Sequence, residues 1–348
     1  MEAKKVKLPV IAGKQAVENR VMKNRWMAEA ALAGVTWTIE QRPESGGKAP
    51  RLVPSRPVLI PTKEGGFTQV RSVALFTRTS KMACASFSLP ASTLATHGTC
   101  PASNQRPLGD KDYVCYGCYA TKGNYILYPA LAVYQLARRA WVEQQVAAGT
   151  FAVNMAEAIR SFYSKKRLWK EPKKTAVSKG RAPLVITLDP NYFRIHDAGD
   201  FSWLAGYYEA WANVCRIVSE IKFWAPTRDW IFTVKGANLA KEATPNRELI
   251  QAMFGHRRPR NMIVRPSALY FGEKAPTVRG LDAGTTASKN EGNWVVGKKP
   301  VQGWCGFKQT KTSICRCPAY ETEEANCASA HCRTCWEKPR QQVVYPRH

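Results

Sequence analysis

Nowhere in the 348-residue sequence is there a stretch approaching the roughly 18 to 20 uninterrupted apolar residues that a transmembrane helix needs, so no helical membrane span is expected. The opening stretch MEAKKVKLPVIAGK has charge but no long apolar run followed by a small-residue cleavage site. It does not read as a secretory signal, and a cytoplasmic location is expected. Acidic residues are few, 26 Asp and Glu against 52 Lys and Arg. Histidines number only five, without the clustered spacing that a rolling-circle nuclease needs beside its nucleophilic tyrosine. A 45% apolar content excludes disorder from end to end and suffices for one large core or two modest ones. Cysteine, by contrast, is abundant at eleven. In a reducing compartment that density points to metal binding or catalysis more than to a disulfide framework, and the odd count weakens the disulfide reading again.

The charge balance of +26 creates a field that draws polyanions before any specific contact forms. Nucleic acid is the expected partner, DNA ahead of RNA. Part of the excess is concentrated in KKRLWKEPKKTAVSKGR, from Lys165 to Arg181, with eight basic residues and one acid, Glu171. Lys165, Lys166, Arg167, Lys170, Lys173 and Lys174 are candidate phosphate contacts, and Trp169 among them could stack on a base. The same run also reads as a solvated linker.

Three regions follow from the texture of the chain. Residues 1–80 form a basic N-terminal extended region, in which Pro50, Pro54, Pro57 and Pro61 forbid a long helix, and GFTQVRSVALFTRTS reads as one or two strands. Residues 81–298 form an α/β core. Within it, Val133, Leu136 and Ala140, then Phe151, Met155, Ile159 and Phe162, recur at helical spacing and are candidate core. From Ala182 onward, PLVITLD, YFRIH, a helix from Trp203 to about Ser219, IKFWAPT, WIFTV, a short helix near 246–253 and NMIVRPS alternate. This predicts an α/β fold with a partial or complete barrel-like parallel sheet. Residues 299–348 form a cysteine-rich C-terminal metal-binding segment.

In barrels and open parallel sheets alike, ligands sit beyond the carboxyl ends of the strands. There the sequence places His196, Asp197 and Asp200, candidate catalytic groups able to accept protons or hold a divalent ion. Read structurally, Asp200 and Ser202 would cap the following helix, with His196 packed beneath it. Arg228 and Arg265 would suit a cofactor carboxylate or phosphate, or stand as ordinary surface cations.

The cysteines fall into two sets. Cys115 and Cys118 enclose two residues, so one turn can aim both sulfurs at one metal or cluster, and Cys100 could supply a third corner. A structural zinc would want a fourth ligand, whereas an iron–sulfur cube could keep a non-cysteine position for substrate or cofactor. Redox thiols and buried small hydrophobes are the other readings. Near the carboxyl end, Cys305, Cys315, Cys317, Cys327, Cys332 and Cys335 fall within 31 residues. Cys317, Cys327, Cys332 and Cys335 supply four thiolates, enough for zinc or a cubane cluster, in a stretch with too few periodic apolar residues to order itself by burial. Cys84 stands apart from both sets, and Cys215 reads as core.

FSLPASTLATHGTCP, CYGCYATKGNY, YFRIHDAGDF, FWAPTR, and CRCPAY with NCASAHCRTCW occur in order between about Phe87 and Trp336. Together they resemble the phage- and plasmid-encoded gene-product-eighty-eight family of cysteine-rich proteins, which implies a host-cell setting without supplying a reaction. More distantly, CYGC has the Cys-aromatic-x-Cys form of radical S-adenosylmethionine enzymes. That resemblance implies a [4Fe–4S] cluster on Cys100, Cys115 and Cys118 with S-adenosylmethionine as cofactor. Three functions are therefore carried forward: an iron–sulfur protein with one or two clusters that binds nucleic acid, a radical enzyme modifying nucleic acid or protein, and a zinc-stabilised DNA-binding protein.

Overall fold

A computed structural model describes residues 27–40, 49–61, 66–78, 82–91, 98–100, 113–118, 120, 129–171, 173–178, 182–233, 244–245, 258–288, 295–296, 299–300, 314–320, 327, 329–338 and 340–345. Cys305 and the helix expected near 246–253 lie outside them.

The N-terminal region is richer in strands than its prolines suggested. It contains β1 (Trp37–Glu40), β2 (Arg51–Pro54), β3 (Val58–Pro61), β4 (Phe67–Val70), β5 (Val73–Ala74) and β6 (Thr77–Arg78). Strands β1, β2 and β5 form an antiparallel sheet, while β3 and β4 pair as a hairpin. Proline is tolerated at the ends of such short strands. Trp37, Leu52, Val58 and Val73 are buried in the main core, so this region is packed onto the rest of the chain.

The centre of the molecule is a sheet in the order β6, β7 (Ala85–Ser88), β10 (Tyr192–Ala198), β11 (Lys222–Thr227), β14 (Met262–Pro266). All neighbours are parallel except the edge pair β6 and β7. A parallel bridge from Ser267 to Thr285 leads to a further parallel set, β15 (Thr285–Ala287), β19 (Gln342–Tyr345) and β18 (Ile314–Arg316). Among the described residues the strands do not close into a barrel.

Helices α1 (Pro129–Ala147), α2 (Phe151–Tyr163) and α4 (Tyr207–Ile217) arise where apolar residues recur every three or four positions. Val133, Leu136, Phe151, Met155, Ile159 and Phe162 are all buried, and Ala140 packs at the margin of the same core. Trp211 and Phe151 meet Phe193 and Phe87 of the sheet through this cluster. These helices cover one face of the sheet, that of Phe193, Ile195, Phe223, Ala225, Met262 and Val264.

Two expected sheet strands lie elsewhere. In PLVITLD only β9 (Val185–Thr187) forms, and it pairs with β8 (Leu168–Lys170) as an antiparallel ribbon beside α3 (Lys173–Ser178). In WIFTV, β12 (Ile231–Thr233) pairs with β13 (Thr244–Pro245), and β16 (Val295–Val296) with β17 (Lys299–Pro300) makes one more ribbon. Burial explains the difference for β9: it alternates, with Val185 and Thr187 exposed around buried Ile186, whereas all five residues of β14 are buried. A parallel strand covered on both faces has to be apolar throughout.

Gly199 turns the chain out of β10 with φ +97°, and a Cβ there would stand 2.6 Å from Thr99 Oγ1 and 2.7 Å from Leu89 Cβ. Gly199→Ala should therefore destabilise the fold by about 1–3 kcal/mol, from left-handed backbone strain and steric conflict together. The urea midpoint would show it.

Candidate metal centres

The first cysteine set hangs over the carboxyl edge of the sheet. Thr99 is held between two strand ends, its N–H and hydroxyl donating to Pro90 O (2.8 and 3.0 Å) and its carbonyl accepting from Asp200 N (2.9 Å). This fixes Cys100 beyond β7 and β10. Cys115 lies in a 3-10 turn, Val114–Gly117, that is docked by Val114 N donating to Leu269 O (2.7 Å) and by packing of Tyr113 on Tyr270. Cys118 ends that turn, its N–H donating to Cys115 O (3.4 Å). Cys100 and Cys118 pack on the same small group, Ala91, Ala120 and Ala198. None of the three is in a disulfide.

Arg228 belongs to this set. Burial opposes its charge, but Cys115, Tyr113, Cys118 and Asp200 around it offset that cost, and its pKa is raised. Its Nε also donates to Ala268 O (3.3 Å). The guanidinium thus brings a fixed positive charge beside the two thiols.

Next to Arg228 lies a pair of buried carboxyls. Asp200 accepts from Thr227 Oγ1 (2.6 Å), Arg228 N (2.8 Å) and Phe201 N (3.0 Å). Asp229 accepts from Phe201 N (2.8 Å) and Ser202 N (2.7 Å). Burial raises the pKa of each, and for Asp229 the neighbouring Asp200 adds to the rise. The two carboxyls bind the loop after β10 to the loop after β11. Helix α4 begins only at Tyr207, behind a left-handed Gly206, so Asp200 and Ser202 do not cap it. Asp229 was not singled out in the sequence, although it directly follows Thr227 and Arg228 at a strand end.

Asp197 and His196 are parted by an irregularity in β10, where the register against β7 shifts between Arg194 and Ala198. His196 turns under α4. Its Nε2 lies 3.0 Å from Tyr207 Oη, its ring packs on Phe201 and Tyr207, and it is almost fully buried. Burial, helped by the charge of Arg194, pushes its pKa down to about 3, which makes it a neutral core histidine. Asp197 accepts from Thr77 Oγ1 (3.0 Å), which in turn meets Ser86 Oγ (2.9 Å). The three residues grouped in the sequence as catalytic candidates thus occupy three separate environments.

The second set covers the sheet face that the helices leave open. Cys317, Cys327, Cys332 and Cys335 share a buried cluster with Tyr192, Trp224 and Ile263 of the sheet and with Trp336 and Val343. All four cysteines line one small cavity walled by Ala319, Trp336 and Val343. Cys84 joins them as a fifth thiol. Burial pushes the Cys84 thiol up to about 12 against the pull of Arg194 and Arg333, and burial with the neighbouring thiols drives Cys327 well above the usual thiol range. Short α5 (Thr334–Glu337) carries Cys335, whose Sγ is 3.2 Å from Tyr345 Oη. Trp336 Nε1 donates to Phe193 O (3.1 Å), and Arg333 donates to Cys327 O (2.6 Å) and Cys332 O (3.0 Å). Arg265, expected at a cofactor, instead donates to the backbone of this segment. Cys315 is disulfide-bonded and Cys215 is buried in the main core, as its sequence position suggested. Among the described residues no three His, Cys, Asp or Glu side chains are gathered as a single-ion site.

On the basic run, Lys165, Lys166, Lys170 and Lys173 are exposed. Lys174 lies in α3, its side chain outside the described set. Arg167 and Trp169 turn inward: Arg167 Nε donates to Phe162 O (2.6 Å), and Trp169 packs against the main core. The outward cations are lysines, joined by exposed Leu168 and Val185.

The fold and its two thiol sets define a parallel α/β protein with a cysteine-rich segment inlaid on its open face. A family model described as Gene product 88 matches residues 62–338, and the chain belongs to that family. The match takes in β4 to β6, ahead of the motif-bearing stretch; it lends no support to the resemblance to radical S-adenosylmethionine enzymes. Comparison with curated proteins and with solved structures returns no match. No helix among the described residues is long and apolar enough to cross a membrane.

The buried His196 sets an acid limit on stability. Its pKa is lowered, so its contribution is complete above the ordinary imidazole value of 6.5 and is lost as pH falls from there toward about 3. The slope is roughly 1.4 kcal/mol per pH unit. His196→Gln should flatten the fall in stability between about pH 6 and pH 4 by that amount per unit, in urea titrations run at each pH.

Proposed function

We propose that this protein is an iron–sulfur protein that binds nucleic acid through its basic surface. The observation that carries the reading is that Cys317, Cys327, Cys332 and Cys335 line one cavity, with buried Arg265 and half-buried Arg333 donating to the backbone beside them. Cys327 and Cys335, whose burial disfavours the charged form, become good ligands when a metal supplies the compensating charge. Their chemistry fits a cubane cluster or zinc. Cys100, Cys115 and Cys118 would hold a second cluster at the carboxyl edge, where the Arg228 guanidinium lies beside Cys115 and Cys118. A [4Fe–4S] group would supply redox or Lewis-acid chemistry there. The protein's own residues position the sulfurs, through Thr99 and the Val114 to Leu269 bond, and the Asp200 and Asp229 pair ties the adjoining loops together. Nucleic acid as partner is supported by the charge of +26 and by the outward Lys165, Lys166, Lys170 and Lys173.

One observation favours a second reading, a radical S-adenosylmethionine-like enzyme. The three-cysteine set lies beyond the carboxyl ends of parallel strands, where substrates bind in open α/β sheets. Formation of 5′-deoxyadenosine from S-adenosylmethionine by reduced, anaerobic protein would mark it.

Anaerobic purification with iron, sulfide and zinc quantification tests the main reading. Iron with acid-labile sulfide is expected; zinc in stoichiometric amount without sulfide would defeat it in favour of the zinc-stabilised form. Cys118→Ala should lose iron from the first set alone. Cys332→Ala should lose metal from the second and open the C-terminal segment to protease. Reversing Lys165, Lys166, Lys170 and Lys173 to Glu should weaken binding across DNA and RNA sequences and flatten its salt dependence in titrations at two salt concentrations.

A further inference from the structure

The ribbon of β8 and β9 has two unlike faces. Inward, Ile186 is buried and Trp169 packs against the main core. Leu168 stands opposite Thr187 and Lys170 opposite Val185. The ladder continues at both ends, through Leu188 N donating to Arg167 O (2.8 Å) and Glu171 N donating to Leu184 O (2.8 Å). Asp189 N donates to Ala83 O (2.6 Å), which fastens the ribbon beside the start of β7. Outward, by the alternation of strands, stand Leu168 and Lys170 of β8 and Val185 and Thr187 of β9, all exposed. Leu168 is 40% and Val185 58% exposed, high values for aliphatic side chains. Exposed Lys165 and Lys166 precede this face in the chain, and exposed Lys173 follows β8. The neighbouring acids are withdrawn from it: Glu171 is buried and accepts from Leu184 N (3.2 Å), and Asp189 accepts from Arg333 Nη2 (3.1 Å). What remains outward is cationic and aliphatic, with the aromatic ring of the run turned inside.

We infer that this outer face reads double-stranded DNA, the ribbon lying in the major groove with Leu168, Lys170, Val185 and Thr187 toward the base edges and Lys165, Lys166 and Lys173 toward the flanking phosphates. This rests on the nucleic-acid reading proposed above and adds which nucleic acid is bound and by which groove. The major groove of B-form DNA, about 12 Å wide, admits a two-stranded ribbon, whereas that of A-form RNA is too deep and narrow for side chains to read. Single strands are held largely by bases stacked on aromatic rings, and Trp169 faces the core instead. Aliphatic groups such as Leu168 and Val185 match the thymine methyl, which only the major groove displays; Lys170 can donate to guanine O6 and N7, and the Thr187 hydroxyl to either kind of pair. The phosphates that rim the groove complement the lysine charge left by the withdrawal of Glu171 and Asp189.

Fluorescence anisotropy of the full chain, purified anaerobically, tests this with four probes: an alternating A·T DNA duplex, the same duplex with deoxyuridine in place of thymidine, a single DNA strand of the same length, and an RNA duplex. The A·T duplex should bind at least about tenfold more tightly than the single strand or the RNA duplex. Loss of the thymine methyls should weaken binding about fourfold for each methyl contacted, the worth of one buried carbon group. A Leu168→Ser and Val185→Ser double variant, altered only at exposed positions, should bind the two DNA duplexes equally while keeping the parent's salt dependence. Lys165→Gln with Lys166→Gln should instead lower the slope of log affinity against log salt by about 1.8, or about 0.9 per phosphate contact. Equal affinity for single strand or RNA duplex, or no effect of the methyls on the parent, would overturn the groove assignment and leave the nucleic-acid reading standing. A double variant that still distinguishes the two duplexes would take the base-reading surface away from this ribbon and overturn it too. Binding to none of the four probes would overturn both readings, whether or not the protein binds vesicles of anionic lipid.

Discussion

A parallel sheet must be covered on both faces, because its strands are apolar throughout and joined by crossovers rather than tight hairpins. In this protein α1, α2 and α4 cover only one face. The other falls to the C-terminal segment, in which apolar residues are sparse and cysteines dense. Trp336 and Val343 fill part of the space over Tyr192, Trp224 and Ile263, and the sulfurs fill the rest. The architecture therefore depends on a segment that cannot order itself by burial. Arg265, donating from the sheet side to the carbonyls of Thr334, Lys338 and Gln341, is one of the means by which it is held.

The two cysteine sets are built on different physical terms. Over the carboxyl edge, Cys100, Cys115 and Cys118 are placed by backbone bonds to strand ends, with Cys100 and Cys118 only half-buried, and Arg228 shares their surroundings with an acid pair. On the open face, the second set is buried, walled by aromatic rings and approached by arginines. In the second, the surroundings are the protein's own.

Much of the centre was legible in the sequence because it obeys simple periodicities. YFRIH, IKFWAPT and NMIVRPS are short, largely apolar runs and became β10, β11 and β14; Phe151, Met155, Ile159 and Phe162 repeat at helical spacing and became the buried stripe of α2. Short ribbons were harder. PLVITLD looks like a sheet strand, yet its partner is Leu168–Lys170, inside a run that charge alone marks as solvated. The site residues divide in the same way. Cysteine spacing groups the members of each set, but no spacing shows that β10 shifts register and sends His196 and Asp197 to different surroundings, or that Arg265 faces carbonyl oxygens contributed from residues 283–341. Those depend on tertiary contacts between residues far apart in sequence.

Strand β19 lies between β15 and β18, both of which precede it in the chain, with Thr285 opposite Val343 and Cys315 also opposite Val343. Two strands made earlier must therefore wait, each with an open edge, for a later one to be threaded between them. During synthesis the cysteines at 317, 327, 332 and 335 leave the ribosome before Gln342–Tyr345 can close the gap. Closure of the sheet is thus left by topology to the strand made last, and a chain stalled short of β19 would present two adhesive sheet edges.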